Sequence, residues 1–366
     1  MEHVDGCLSG AEGVELYWQG WVPDSTPLGV LLICPGMGEH SGRYATVVDV
    51  LAPDGWAVYG LDHRGHGRSA GVRVHMRQYA DFLADLDTFR RTVVTRHPGV
   101  RPFLLGHSMG GQIALAYALD HQNDLAGLVL SAPALAAPPV PRAVRVAATA
   151  LVRVAPKLRR AVVDLATISS DAAVVADYRA DALVHQGHPT IALSLALAVQ
   201  MTLLPARARN LRLPLLVQHG TDDRICPPAG SRALETAVGT DDLTVRWYDG
   251  FWHEIYHEPE REKPLADLRE WLALADSCPD ISGAVRSLGG IGHGGRSRGP
   301  MWTCWPRSSG RSGGPAVPIT STSAVARADL PRPLVPTTFG VLPCCCTPLV
   351  LPAPGSPDLL AQRRHP

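Results

Sequence analysis

The 366-residue chain has no imbalance of charge: 34 Lys and Arg stand against 34 Asp and Glu. That excludes the basic surplus of a nucleic-acid binder, and no nucleic-acid partner is expected. The zero is unevenly spread. From Pro279 onward nine Arg or Lys face three acidic residues, nine minus three or +6, so the body before it carries −6. Long apolar runs are also missing. No segment offers about 20 uninterrupted apolar residues, which argues against a membrane-spanning helix. The first 13 residues include Glu2, Asp5 and Glu12 and lack the apolar stretch of a secretory signal. The expectation is a cytoplasmic protein. Cysteines are few in the body: Cys7, Cys34, Cys226 and Cys278 are scattered without metal-ligand spacing, as in a reduced intracellular chain. Cys344, Cys345 and Cys346 cluster near the end without forming a prenylation box. No metal and no cofactor is implied.

What is present is an alternation of buried-strand and helix patterns. Residues 14–21 read as an opening strand, and the apolar run 29–34 enters the glycine-rich loop Pro35-Gly36-Met37-Gly38. A helix is expected at 43–51, a strand at 56–61, and an amphipathic helix at 78–96 with Phe82, Leu86, Phe89 and Val93 at helical spacing. Strands follow at 103–105 and 126–130, with a helix at 112–119 between them. The alternation stops near Pro133 and resumes at 215–219, followed by a helix at 230–238, a strand at 243–248 and a helix at 265–275. Continuous apolar strands separated by helices predict an α/β fold with a mostly parallel sheet covered on both faces. The domain is expected over residues 10–278, with an all-helical cap, about 133–210, inserted between two strands. In 279–366 Pro and Gly make up roughly a third of the residues, a level that suggests a disordered tail.

The chemistry centres on Gly106-His107-Ser108-Met109-Gly110, a G-x-S-x-G pattern. The pattern also occurs around Ser69, Ser297 and Ser312, but only Ser108 follows an apolar strand run and precedes a helix-forming run. That context lifts a serine hydroxyl out of a strand and onto a helix N-terminus. A serine needs a base, and the base needs an acid to fix its tautomer. In such sheets the acid follows a late strand, where Asp222 and Asp223 are both candidates, and the base follows the last strand, where His253 stands. His107 adjoins the serine with its ring expected to point away, and His219 reads as a packed histidine. Backbone donors for an oxyanion are expected from Met109 and from Met37 in the glycine-rich loop. A rival pattern, His253-Glu254-Ile255-Tyr256-His257, matches the zinc-protease H-E-x-x-H. It needs one continuous helix, which Pro259 would disrupt, so His257 is expected to be a solvated residue near the last helix.

The segments Gly36-Met37-Gly38-Glu39-His40-Ser41-Gly42-Arg43-Tyr44, Asp62-His63-Arg64-Gly65-His66-Gly67-Arg68-Ser69, Gly106 to Gly111, His219-Gly220-Thr221-Asp222-Asp223-Arg224 and His253-Glu254 resemble the monoacylglycerol lipases of the α/β-hydrolase superfamily, the bacterial members above all. The resemblance covers about residues 10 to 275. It implies a serine esterase that hydrolyses monoacylglycerol to glycerol and fatty acid, with Ser108 as nucleophile, Asp223 as acid and His253 as base. Lysophospholipase and short-chain carboxylesterase are the alternatives within the fold. The resemblance also places Glu39 and Arg43 near the glycerol end of the pocket, and an ion pair beneath the loop is the competing role for them. One departure is Pro35, where the family has His. The cap interleaves Arg142, Arg145, Arg153, Lys157, Arg159 and Arg160 with apolar residues, consistent with peripheral contact with an anionic membrane or with a solvated lid face.

Overall fold

The structure, a computed structural model, describes residues 1–136, 149–159 and 164–276. The tail expected from residue 279 lies outside them, as do Arg142, Arg145 and Arg160 of the cap.

Eight strands form one sheet: β1 (Glu2–Ser9), β2 (Glu15–Val22), β3 (Val30–Cys34), β4 (Ala57–Leu61), β5 (Phe103–His107), β6 (Gly127–Ser131), β7 (Leu215–Gly220) and β8 (Leu243–Tyr248), in the order β1-β2-β4-β3-β5-β6-β7-β8. From β4 to β8 all pairs are parallel, while β1–β2 and β2–β4 are antiparallel. Strands β3 to β7 are buried along their whole length, which is why they read as uninterrupted apolar runs. Side chains alternate between two cores. Val30, Leu32 and Cys34 join one with α2 (Tyr79–Val94) and α3 (Met109–Asp120). Leu31 and Ile33 join the other with α1 (Ala45–Leu51). The sheet begins at Glu2, ahead of the domain start expected at residue 10. Strand β1 was not anticipated because it is an edge strand, with polar residues at every second position and only partial burial of Val4, Gly6 and Leu8.

Strand order reverses at β3, whose neighbours are β4 on one side and β5 on the other. Ligands bind at such switch points, outside the carboxyl ends of the strands. The loop after β3 and the turn after β5 meet there. Between β6 and β7 the described residues contain α4 (Ala172–Ala180), α5 (Ile191–Ala208), helical residues at 149–154 and a short 3-10 turn, Leu165–Thr167. Arg159 and Thr190 form an isolated bridge there, the one departure from an all-helical cap among these residues. By length and composition α5 could cross a membrane, with a mean hydropathy of 1.5, yet Leu193, Leu204 and Ala208 are wholly buried. The Gln112 amide donates to the Leu197 carbonyl at 3.2 Å and to that of Ala134 at 2.7 Å, tying α5 to α3. After β7 come α6 (Ala229–Ala237) and, following β8, α7 (Glu262–Asp276).

Candidate active site

Ser108 occupies the turn between β5 and α3 with φ 54° and ψ −119°, a backbone conformation that costs a side-chain-bearing residue strain. The flanking glycines make the turn possible. A Cβ on Gly106 would sit 2.4 Å from the Gly110 carbonyl oxygen, and one on Gly110 would sit 2.0 Å from that of Cys34 and 2.3 Å from that of Pro35. The loop after β3 therefore runs directly against the serine turn, and proline at position 35 is accommodated there. Met109 is the first residue of α3, so its N–H has no intrahelical acceptor. Met37 stands on the wall of the cavity that Ser108 also lines.

Asp223 lies in the loop after β7. Its Oδ1 accepts the backbone N–H groups of Ile225 (2.8 Å) and Cys226 (2.9 Å), and its Oδ2 lies 2.7 Å from His253 Nδ1. Burial alone would raise the carboxyl pKa. The adjacent His253, with hydrogen bonds from His219 and His253, instead holds it well below the usual carboxylate range. For His253 burial favours the neutral ring, but the charge and hydrogen bond of Asp223, reinforced by Glu39 and Glu254, raise its pKa. Asp222, the other candidate acid, is exposed, and its side chain accepts the Thr221 hydroxyl at 3.2 Å. The His253–Asp223 bond fixes the Nδ1–H tautomer and leaves Nε2 as the ring's basic atom.

Ser108 and His253 line the same cavity, of about 70 Å³, roofed by cap residues including Ile168, Tyr178 and His185. Their side chains are not hydrogen-bonded to each other. Ser108 Oγ lies instead 3.7 Å from Cys226 Sγ, a thiol that burial keeps protonated. Sequence reasoning missed this neighbour. Its only signal was position, three residues after Asp223 in a loop that had to return to the serine. His107 makes a second contact that the local sequence did not mark. Its ring packs against His253, centroids 4.7 Å apart, and burial followed by repulsion from His253 lowers its pKa to about 3, so it stays neutral.

Glu39 lines the cavity, yet its carboxylate also faces inward, accepting the Tyr44 hydroxyl at 3.1 Å and the Gly36 N–H at 3.4 Å. Arg43 does not line the cavity and does not form the alternative ion pair with Glu39. Its guanidinium donates to Glu254 at 2.6 Å and lies 4.5 Å from the Tyr178 ring centroid. The zinc-protease geometry is absent. His253 lies outside any helix, and His257 ends a three-residue turn with Nε2 2.9 Å from the Arg43 carbonyl. His257 is thus partly buried and engaged, contrary to the expectation of a solvated residue.

A sheet of this order, a strained serine at its central turn and a histidine–aspartate pair across the same cavity define an α/β-hydrolase. The family described as serine aminopeptidase, S33 matches residues 25–260, and the chain belongs to it. It is similar to a monoacylglycerol lipase of Mycolicibacterium smegmatis, 40% identical over 266 residues that span 72% of this chain and 95% of that protein. A Bacillus subtilis protein, phospholipase YtpA, is 29% identical over 66% of this chain and 93% of its own length. The crystal structure of Paleococcus ferrophilus monoacylglycerol lipase superposes with a TM-score of 0.65 at 32% identity, covering 71% of this chain and 99% of that one.

Proposed function

We propose that this chain hydrolyses monoacylglycerol through an acyl-enzyme. The observation that carries the reading is the His253–Asp223 pair facing Ser108 across one cap-roofed cavity. Rotation about the Ser108 Cα–Cβ bond takes Oγ from Cys226 towards His253 Nε2, which accepts its proton as Oγ bonds to the ester carbonyl carbon. The Met37 and Met109 N–H groups hold the oxyanion, and each such donor contributes about 3 kcal/mol of transition-state stabilisation. His253 passes the proton to the departing glycerol oxygen. Water then repeats the sequence on the acyl-serine, His253 taking its proton, and the fatty acid leaves. Asp223 stays ionised throughout and orients the ring. Glu39 contributes to the wall at the head-group end, while Arg43 acts through Glu254.

Fluorophosphonate labelling of the full chain tests the nucleophile: labelling that survives Ser108→Ala would refute it. A chain-length series of monoacylglycerols set against lysophosphatidylcholine tests the substrate. The similarity to a phospholipase favours a lysophospholipid as the second reading, which faster turnover of lysophosphatidylcholine would establish. The cap is the face that meets lipid, since Leu151, Val154, Val199 and Leu203 are exposed on it. Sedimentation with anionic vesicles checks this, and no binding at low salt would refute it.

A further inference from the structure

His219 is the penultimate residue of β7, and its contacts go beyond the packing that its position suggests. The ring is wholly buried. Nε2 lies 2.9 Å from the Cys226 carbonyl oxygen and 3.2 Å from Asp223 Oδ2. Two acceptors at one ring nitrogen require that nitrogen to carry the proton. Nδ1 lies 2.7 Å from Ser231 Oγ on α6, and in the Nε2–H tautomer it accepts the serine hydroxyl there. The ring also stacks on Trp247 of β8 at a centroid distance of 5.9 Å, and Arg232 lies over that indole. Elements β7, β8 and α6 together hold the imidazole in place.

The consequence falls on Asp223. Its Oδ2 takes two imidazole N–H groups, a short one from His253 and a longer one from His219, while Oδ1 takes two backbone N–H groups. The same His219 nitrogen holds the Cys226 carbonyl, and with it the turn that sets a thiol against Ser108.

We propose that His219 is a positioning residue, a buried N–H donor that fixes the turn at residues 223–226 and withdraws charge from Asp223 Oδ2, so moderating the basicity of His253. This rests on the reading of His253 as the base. The groups facing His253 are Asp223 from the β7 loop, Glu39 from the β3 loop, His107 from β5, and Glu254 from its own loop, with Arg43 and the His257 ring both against Glu254. Those facing His219 are Asp223, the Cys226 carbonyl, the Ser231 hydroxyl and, across Trp247, Arg232. Among the described residues, His219 is the second side chain that donates to the oxygen on which His253 depends.

The test is the pH dependence of kcat/KM on a monoacylglycerol for the full chain and for His219→Leu, His219→Gln and Ser231→Ala. Removing the second donor leaves Oδ2 more basic and the His253 imidazolium more stable. His219→Leu is expected to move the acid limb upward by about half a pH unit, roughly threefold in the proton equilibrium. It should also lower kcat by roughly tenfold to a hundredfold through misplacement of Asp223, with little change in KM. The Gln amide keeps a donor and should return the limb towards wild type. A folded His219→Leu protein with an unmoved limb overturns the proposal, as does Gln behaving like Leu. Should His219→Leu fail to fold, Ser231→Ala carries the test. It frees the ring tautomer, so a smaller upward shift is expected and an unmoved limb overturns the proposal. Absence of fluorophosphonate labelling at Ser108 in the wild type would instead sink the triad reading.

Discussion

At the scale of single residues, charge placement sets the expected pH behaviour. His253 has a raised pKa and must be neutral to accept the Ser108 proton, so the acid limb of kcat/KM is expected above the ordinary histidine value of about 6.5. A pH–rate profile checks it, and a limb below 6 contradicts the buried pair. Stability follows the same groups. The contribution of His253 is complete below its unfolded pKa and is lost as pH rises through the raised folded value. That of Asp223 is present above its unfolded pKa of about 4 and is lost as acid titrates its depressed folded one. Arg43→Ala removes the guanidinium from the buried Glu254 carboxylate, leaving the His257 ring beside it, and is expected to destabilise by about 3 kcal/mol, read from urea unfolding. Glu254→Gln in the same background should recover most of it. The candidates legible from the chain alone were those tied to a local turn: Ser108 between its glycines and His253 after the last strand, while the choice of Asp223 over Asp222 came from the family resemblance. The contacts of Cys226 and His107 were not, because their partners Ser108 and His253 come from distant turns, and His219 read only as a packed histidine although Asp223 and Cys226 lie in the loop that follows it.

At the scale of elements, visibility tracked burial. Strands β3 to β7, covered on both faces, announce themselves as apolar runs. Strand β1 borders solvent and alternates polar with small or apolar residues, a pattern too weak to separate from a leading loop. The cap was visible as a lapse in the strand rhythm, but its attachment was not, since Leu193, Leu197 and Leu204 enter the main core and a buried amide in α3 reaches two cap carbonyls, contacts that no local pattern marks. Gln112→Leu removes both bonds and leaves the Ala134 and Leu197 carbonyls without that donor. An expected loss of about 1–3 kcal/mol should appear as faster limited proteolysis within the cap, ahead of any change in the sheet.

At the scale of the whole molecule, the matched family spans residues 25–260 and the sheet closes with α7 at Asp276. A chain ending after Cys278 is therefore expected to keep the hydrolytic activity of the full chain, and loss of turnover on that truncation would assign the remaining residues a direct part in the site. The turn at Ser108 has its own bearing on the molecule. A residue other than glycine at φ 54° is held there at a cost of roughly 1–3 kcal/mol, which the rest of the fold offsets. Ser108→Gly should consequently melt at a higher temperature than the parent while hydrolysing nothing. Durability and turnover compete at a single carbon atom, and the serine's presence there records which of the two natural selection favoured.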